Sequence, residues 1–472
     1  KINDPKIVTE RLKKDIIKLV IDEVVIEGES VKIFATIPLP NKIHEREMDK
    51  TDIPGTFNAG ATLGPVNETN MARIWNKHKQ TNTPLKRKVF VGLSGGVDSA
   101  VSAALLKKAG FDVTGVFIKV WQPDWIECNW KEERLEAMRV AAHLDIPFET
   151  LDLSHEYKRD VIDYMIREYS LGRTPNPDVM CNRSVKFGAF WKWAKEKGAD
   201  FIATGHYARV SRPSFAKVTE DKSGLDGKSP SSSKYILLTG KDKEKDQSYF
   251  LWTLNQNDLE HVLFPVGYLN KSEVRNLAVK FELPNSDKKD SQGLCFMGKV
   301  NVKEFLAHYI KIEPGKVLNE NGEVIGGHPG ALFFTKGERH GFILNKKTPS
   351  DKPYYVIDKD IEQNTLIVSN CNDSHRLPGA EKKVRIEKLN WVGGELPNYR
   401  DPFSPRLQRA SETSVPLQAR SRYRQPLQNI RIISVNFSET VLEFETPQDT
   451  LSSGQSLVIY NGEECLGGGV IE

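Results

Sequence analysis

The chain has 472 residues, 39% of them apolar and 28% charged, with 67 Lys plus Arg against 63 acids for a formal net charge of +4. That length holds about three domains of ordinary size, the composition excludes wholesale disorder, and the mild charge excludes binding of nucleic acid through bulk charge alone. No stretch reaches the roughly 18 uncharged apolar residues of a membrane span, and Asp4, Glu10, Asp15 and Asp22 interrupt the lysine-containing start, so no membrane partner and a cytoplasmic location are expected.

Residues 1–85 read as an N-terminal extension without an assigned role. Ile7 to Leu19 has helical spacing, Leu19 to Leu39 predicts two strands around the turn Glu27-Gly28-Glu29-Ser30, and Pro40 to Pro84 has the Asn, Thr, Gly and Pro content of a linker. The chain starts on Lys1 and not Met, as a fragment or fusion would.

From 86 to 265 strands and helices alternate. Strands are predicted over Lys88–Leu93, Val113–Ile118, Phe148–Leu153 and Phe201–Thr204, and helices over Ser99–Ala109, Lys131–Leu144, Tyr157–Tyr169 and Val185–Lys197. Repeated βα units predict an α/β fold with a doubly wound parallel sheet, whose ligands sit at the carboxyl ends of the strands. The Ser- and Lys-rich stretch 211–234 reads as an exposed insertion. Mainly helical segments run from Asp242 to Ile310, and 266–375 is set apart as a smaller central region. From 376 to 472 short strands dominate, at Val384–Ile386, Ile430–Val435, Val441–Phe444 and Leu457–Tyr460, and predict an antiparallel β-barrel or sandwich.

Three motifs carry chemistry. Gly92-Leu93-Ser94-Gly95-Gly96-Val97-Asp98-Ser99 follows a strand and opens a helix. Adjacent glycines let the backbone approach an anion, the serines add hydroxyl donors, and the helix N-terminus adds partial positive charge. The loop lacks the Gly-Lys-Ser/Thr ending of a Walker A motif and the spacing of a dinucleotide fingerprint. Asp98 is the simplest candidate to hold Mg2+ beside the phosphates. The plainer alternative is a turn that uses Gly and Ser for geometry alone.

The second motif, Arg173-Thr174-Pro175-Asn176-Pro177-Asp178-Val179-Met180-Cys181-Asn182, reads as a proline-fixed loop that presents a carboxylate and a thiol near a helix N-terminus, a setting that favours the thiolate. A helix-capping turn with an incidental cysteine is the plainer alternative. In the third, Lys288-Lys289-Asp290-Ser291-Gln292-Gly293-Leu294-Cys295-Phe296, a thiol lies close to lysines. The five cysteines, at 128, 181, 295, 371 and 465, have neither CxxC nor zinc spacing, which leaves buried inert thiols or a few reactive ones in a reducing compartment.

The SGGVDS string resembles the PP-loop of ATP pyrophosphatases, which cleave ATP between its α and β phosphates. With NPDVMCN, Ala203 to Arg209 (ATGHYAR), Lys245 to Leu251 (KDQSYFL), Leu263 to Gly267 (LFPVG), KDSQGLCF and the terminal GQSLVIYNGEECLGGGVIE, the chain from about Lys88 to Glu472 resembles the bacterial tRNA-specific 2-thiouridylase family. The resemblance implies ATP-dependent 2-thiolation of the wobble uridine of tRNA, with ATP and Mg2+ as cofactors and a persulfide donor as partner. It implies that Gly92, Leu93, Ser94, Gly95, Gly96, Val97, Asp98, Ser99, Ile118 and Gly205 bind ATP. Asn176, Pro177 and Asp178 would hold the target base, and Asp178 would serve as acid/base. Cys181 would be the nucleophile and Cys295 the persulfide carrier, the two able to form a disulfide. His206, Lys245, Asp246, Gln247, Arg422, Tyr423 and Gln455 would contact tRNA, with Arg420, Arg422 and Arg424 adding phosphate contacts.

The chain departs from the family at Glu338, in Thr335-Lys336-Gly337-Glu338-Arg339-His340-Gly341-Phe342, where Gln is usual, and in its long 211–234 insertion. Another PP-loop adenylating ligase and a non-catalytic tRNA-binding protein are the alternatives; the two placed cysteines oppose the first, and the intact loop with both cysteines opposes the second.

Overall fold

The computed structural model describes residues 21–27, 30–35, 87–125, 130–211, 234–290, 301–345, 352–370, 380–395, 416–435, 439–449 and 451–472. The helix expected at Ile7–Leu19, the 40–84 linker, nearly all of the insertion, and Cys128, Cys295 and Cys371 lie outside them. The chain divides into two units, Lys1–Pro84 and Leu85–Glu472. In the first, β1 (Ile21–Glu27) and β2 (Ser30–Ala35) pair antiparallel with Glu27 opposite Ser30, the hairpin expected from the turn residues.

The second unit opens with a parallel sheet. Strands β3 (Lys88–Gly92), β4 (Asp112–Lys119), β5 (Phe148–Asp152), β6 (Phe201–Ala203) and β9 (Val262–Leu263) lie in the order β5-β4-β3-β6-β9, every neighbouring pair parallel. The central strands are short apolar runs with Val89, Val91, Val116 and Ile202 fully buried, as a sheet covered on both faces requires. The helix Val97–Lys108 turns Ala100, Val101, Ala103, Ala104 and Leu106 into the core. The strand order reverses between β3 and β6, and a doubly wound sheet opens its ligand crevice at such a point, beyond the carboxyl ends of the strands.

Two differences from the sequence pattern affect the site. Strand β9 falls inside a stretch read as helical, because two residues carry no readable period. The helix expected from Val185 starts at Pro177: Pro177–Met180, a π-type stretch Cys181–Ala189 and Phe190–Glu196 follow one another without a break. Pro177 occupies the first helical position, where its missing N–H costs nothing, and the Asn176 side chain caps the end by accepting from the Val179 amide. Asp178 and Cys181 are therefore helical residues, not loop residues.

Strands β7 (Ala208–Ser211) and β8 (Ile236–Thr239) form a hairpin on either side of the insertion. The helix Lys271–Lys280 packs on Val97–Lys108. A separate five-stranded sheet follows, in the order β12-β11-β10-β14-β13, built from β10 (Gly315–Leu318), β11 (Val324–His328), β12 (Ile343–Leu344), β13 (Tyr354–Asp360) and β14 (Thr365–Asn370).

The chain ends in a closed six-stranded antiparallel barrel of β15 (Glu381–Trp391), β18 (Glu439–Gln448), β17 (Gln428–Val435), β16 (Leu417–Arg420), β19 (Ser456–Asn461) and β20 (Glu464–Ile471), with β20 returning to β15. The Gly-rich β20 makes closure possible, since a Cβ on Gly467 would stand 2.0 Å from the Asn390 carbonyl oxygen of β15. The barrel is not isolated: β8 adds to the outer side of β20, with Leu238 opposite Glu464. No helix among the described residues is long and apolar enough to cross a membrane.

Candidate active site

Residues 92–99 form a loop at the switch point. Gly95 has φ +74°, and a Cβ there would lie 2.7 Å from the Glu133 carbonyl oxygen, so the turn needs glycine. Ser94 and Ser99 face each other with hydroxyl oxygens 3.3 Å apart, and the Ser99 hydroxyl donates to the Gly96 carbonyl at 3.0 Å. The first amides of a helix have no intrahelical acceptor, and no side chain of the N-cap Gly96 caps those of Val97–Lys108, which leaves this end suited to an anion. Two residues beyond β6, Gly205 lies directly against the helix start: a Cβ on it would meet the Ser99 nitrogen at 2.7 Å. Ile118 is buried in β4, beside Gly92.

Asp98 is the charged centre of this loop. The Tyr207 hydroxyl donates to its Oδ1 at 2.8 Å, and Lys271 Nζ reaches both carboxylate oxygens at 2.7 and 2.8 Å. Lys271 also pairs with Asp290 at 2.8 Å, and Asp290 in turn holds Lys245 and Arg275. Burial alone would raise the Asp290 carboxyl, but hydrogen bonds and charge from Lys245 and Lys271 hold it well below the usual carboxylate range. Burial and the neighbouring Asp98 charge keep Tyr207 protonated far beyond its ordinary range. The segment before 290 crosses the loop: Asn285 donates to the Gly95 carbonyl at 3.0 Å, and Lys288 pairs with Glu136.

Lys271, Tyr207, Asn285 and Arg275 were not singled out from the sequence. Arg275 binds within 15 residues of itself, but the other three meet partners far off along the chain, Asp98 and Lys271 being 173 residues apart. The one available signal was the conjunction of Tyr207 with Gly205 in a single string. Among the described residues no group of three or more His, Cys, Asp or Glu could hold a metal. Both Asp98 oxygens are engaged by Tyr207 and Lys271, so the carboxylate singled out for Mg2+ would have to exchange Lys271 for the ion.

Cys181 is a fully buried cysteine at the start of the π-type stretch, a kind of helix irregularity that occurs often at functional sites. Its helix is packed onto the crevice through Phe187, which meets His206 and Phe264, and through Phe190, which approaches Gly92. Cys295 is outside the described residues, so the disulfide implied with Cys181 is not supported. Asn176, Pro177 and Asp178 are half-buried. Beside Asn176 opens a cavity of about 200 Å³ between this helix and the barrel, lined also by Arg167, Arg183, Trp252 and Lys388.

Of the residues that the resemblance gives to tRNA, His206 and Asp246 are buried, and Lys245, Gln247, Arg422, Tyr423 and Gln455 are half-buried. His206 is 8% exposed, with its Nδ1 2.7 Å from the Thr204 hydroxyl, and burial, aided by the Lys186 charge, holds it well below the ordinary histidine range. Asp246, 4% exposed, pairs with the equally buried Arg420, and Tyr460 shares that guanidinium at 2.9 Å. Arg420 is therefore a buried seam residue and not the phosphate contact expected of it. Gln247 accepts from the Tyr207 amide, Gln455 donates to the Thr174 carbonyl, and Arg422 donates to the Lys336 carbonyl. Tyr423 packs at a tilt against Phe250, with ring centres 4.6 Å apart, and Arg424 is exposed beside it. Glu338 accepts from the Thr335 amide at 3.1 Å and pairs with Lys303, which gives the departure at this position a local packing role.

Comparison with known proteins matches three family descriptions in chain order. They are a tRNA methyl transferase HUP domain over 87–299, a tRNA methyl transferase PRC-barrel domain over 303–370, and an aminomethyltransferase beta-barrel domain over 381–471. The tRNA-specific 2-thiouridylase MnmA of Hydrogenovibrio crunogenus is 41% identical over 396 residues, covering 83% of this chain and 95% of that protein. Those of Nitrosomonas europaea and Thiobacillus denitrificans are each 40% identical, covering 82% of this chain and 98% and 100% of those proteins. With its parallel sheet, central sheet and closed barrel in the matched order, the chain belongs to the tRNA-specific 2-thiouridylase family.

Proposed function

We propose that this enzyme uses ATP and Mg2+ to thiolate C2 of the wobble uridine of tRNA, with sulfur drawn from a persulfide donor. The observation that carries the reading is the packing of the Cys181 helix onto the same switch-point crevice as the 92–99 phosphate cradle. A nucleotide held at the cradle and a base brought to Asn176 and Asp178 would then meet beside a thiol. The family descriptions speak of methyl transfer, but a phosphate cradle beside a cysteine suits adenylation followed by sulfur transfer.

The chemistry needs both parts. The uracil C2 oxygen is a poor leaving group. Transfer of adenylate from ATP to that oxygen releases pyrophosphate and turns it into part of a good leaving group, AMP. The terminal sulfur of a Cys295 persulfide then adds to C2, and AMP departs as the C2–O bond breaks. Attack of the Cys181 thiolate on the inner sulfur splits the S–S bond, leaves the terminal sulfur on the uridine and joins the two cysteines until a reductant separates them. Asp178, half-buried beside the base-holding residues, accepts and returns the proton. A base in an anticodon loop is reached by flipping it out of its stack, and Arg167, Arg183 and Lys388 rim the nearby cavity with charge suited to an RNA backbone.

The test is product identification. Incubated with tRNA, persulfide and ATP, the protein should yield AMP and pyrophosphate in step with thiolated uridine. Formation of ADP and phosphate in their place would refute the adenylation step.

A further inference from the structure

We propose that Gln455 is a positioning residue of the thiolation reaction, which reaches from the barrel to fix residues 174–176 and, through them, the start of the helix that carries Asp178 and Cys181. The inference rests on the roles given to Asp178 and Cys181 above and gives the barrel a part in the chemistry.

The turn does not hold itself. Pro175 and Pro177 have no N–H to donate, and Thr174 and Pro175 are buried, so their carbonyls need donors from elsewhere in the fold. The barrel supplies them. The Thr174 amide donates to the Ser453 carbonyl at 2.8 Å, and Gln455 Nε2 donates to the Thr174 and Pro175 carbonyls at 2.8 and 3.4 Å. One primary amide thus directs its two protons to two adjacent carbonyls. Gly454 lets the two backbones approach: its φ is +89°, and a Cβ there would stand 2.9 Å from both the nitrogen and the carbonyl oxygen of Thr174.

The clasp is itself anchored at the last strand. The Gly454 amide donates to the Ile471 carbonyl and the Ile471 amide to the Gln455 carbonyl, each at 2.8 Å. On the far side of the turn, the Asn176 side chain caps the helix and hydrogen-bonds the Tyr249 hydroxyl, which reaches the Ser421 and Ser456 carbonyls of the barrel at 3.0 and 2.9 Å. The Thr174 hydroxyl meets that of Thr335 at 3.1 Å. Contacts that served only to join domains could fall anywhere along the seam. These converge on the three residues before Pro177, where a shift of the backbone would carry Asp178 and Cys181 with it.

Single-turnover thiolation by the full chain at saturating tRNA and ATP, read beside tRNA affinity in a filter assay, decides the matter. Gln455→Met should slow thiolation about ten- to hundredfold, the cost of misplacing reacting groups by about 1 Å, and leave tRNA and Mg–ATP affinity unchanged. Should the Met variant fail to fold, the isosteric Gln455→Glu, which keeps the shape and loses both donors, should show the same loss of rate. Weaker tRNA binding at an unchanged rate would make Gln455 an RNA contact. A lower unfolding temperature with rate and affinity intact would make it a fastener of domains. Either result would overturn the assignment. Absence of thiolated uridine from the unsubstituted protein would instead remove the reaction on which it rests.

Discussion

The crevice and the seam with the barrel hold charge in opposite ways. At the crevice, the Asp98 and Asp290 side chains remain about one-third exposed, at 31% and 35%, and three cations surround them. At the seam, Asp246 and Arg420 are 4% and 8% exposed and face each other, with Ser248 and Tyr460 completing the arrangement. Solvated charge shared among several partners can exchange one of them for another as substrate enters. Buried, matched charge cannot, because either ion left alone would bear its full desolvation cost. Neighbouring strings of one family signature thus divide the work, ATGHYAR reaching the crevice through Gly205 and Tyr207, and KDQSYFL tying the catalytic domain to the barrel.

The contrast can be broken at its reactive end first. Cys181→Ser and Cys295→Ser should each reduce thiolation to background in a gel-retardation assay and leave tRNA binding unchanged in a filter assay; a fully active variant would show that the wrong cysteine carries the chemistry. At the seam, Asp246→Ala strands a buried guanidinium and should lower unfolding free energy by about 3–5 kcal/mol in urea titration. The double replacement Asp246→Leu with Arg420→Met should recover much of that loss, since it removes both ions together.

Next comes pH. Burial keeps His206 neutral in the folded chain, with its proton affinity depressed. The unfolded chain takes up that proton near pH ~6.5, so as pH falls below this value the unfolded state binds more protons and stability drops by up to ~1.4 kcal/mol per unit. Above about pH 7 the contribution is flat. Denaturation at a series of pH values should show a shallower acid slope in His206→Gln. The smallest effect is expected at Glu338→Gln, which restores the usual family residue and removes a partly exposed ion pair with Lys303. A change below about 1 kcal/mol in thermal unfolding is expected there.

Much of the architecture was legible because the βα repeats of the parallel sheet have periods that a single strand or helix displays. The misses have local causes. Strand β20 is ECLGGGVI, where three glycines erase the alternation, yet those glycines let it pair on both sides and close the barrel. The early start of the Cys181 helix was present in Asn176-Pro177 as a cap and first-position proline, but two prolines in six residues also suit a loop. The loop and cysteines of the site were visible as strings. The Lys271–Asp98 and Arg420–Asp246 pairs were not, since 173 and 174 positions separate their members and no spacing rule joins them.

The most direct test of the account is incubation of the full chain with ATP, Mg2+, a persulfide donor and unmodified tRNA, followed by thiol-sensitive gel retardation. The account predicts a retarded tRNA band that requires ATP and contains 2-thiouridine at the wobble position. A folded preparation that binds tRNA and ATP but yields no retarded band would contradict it.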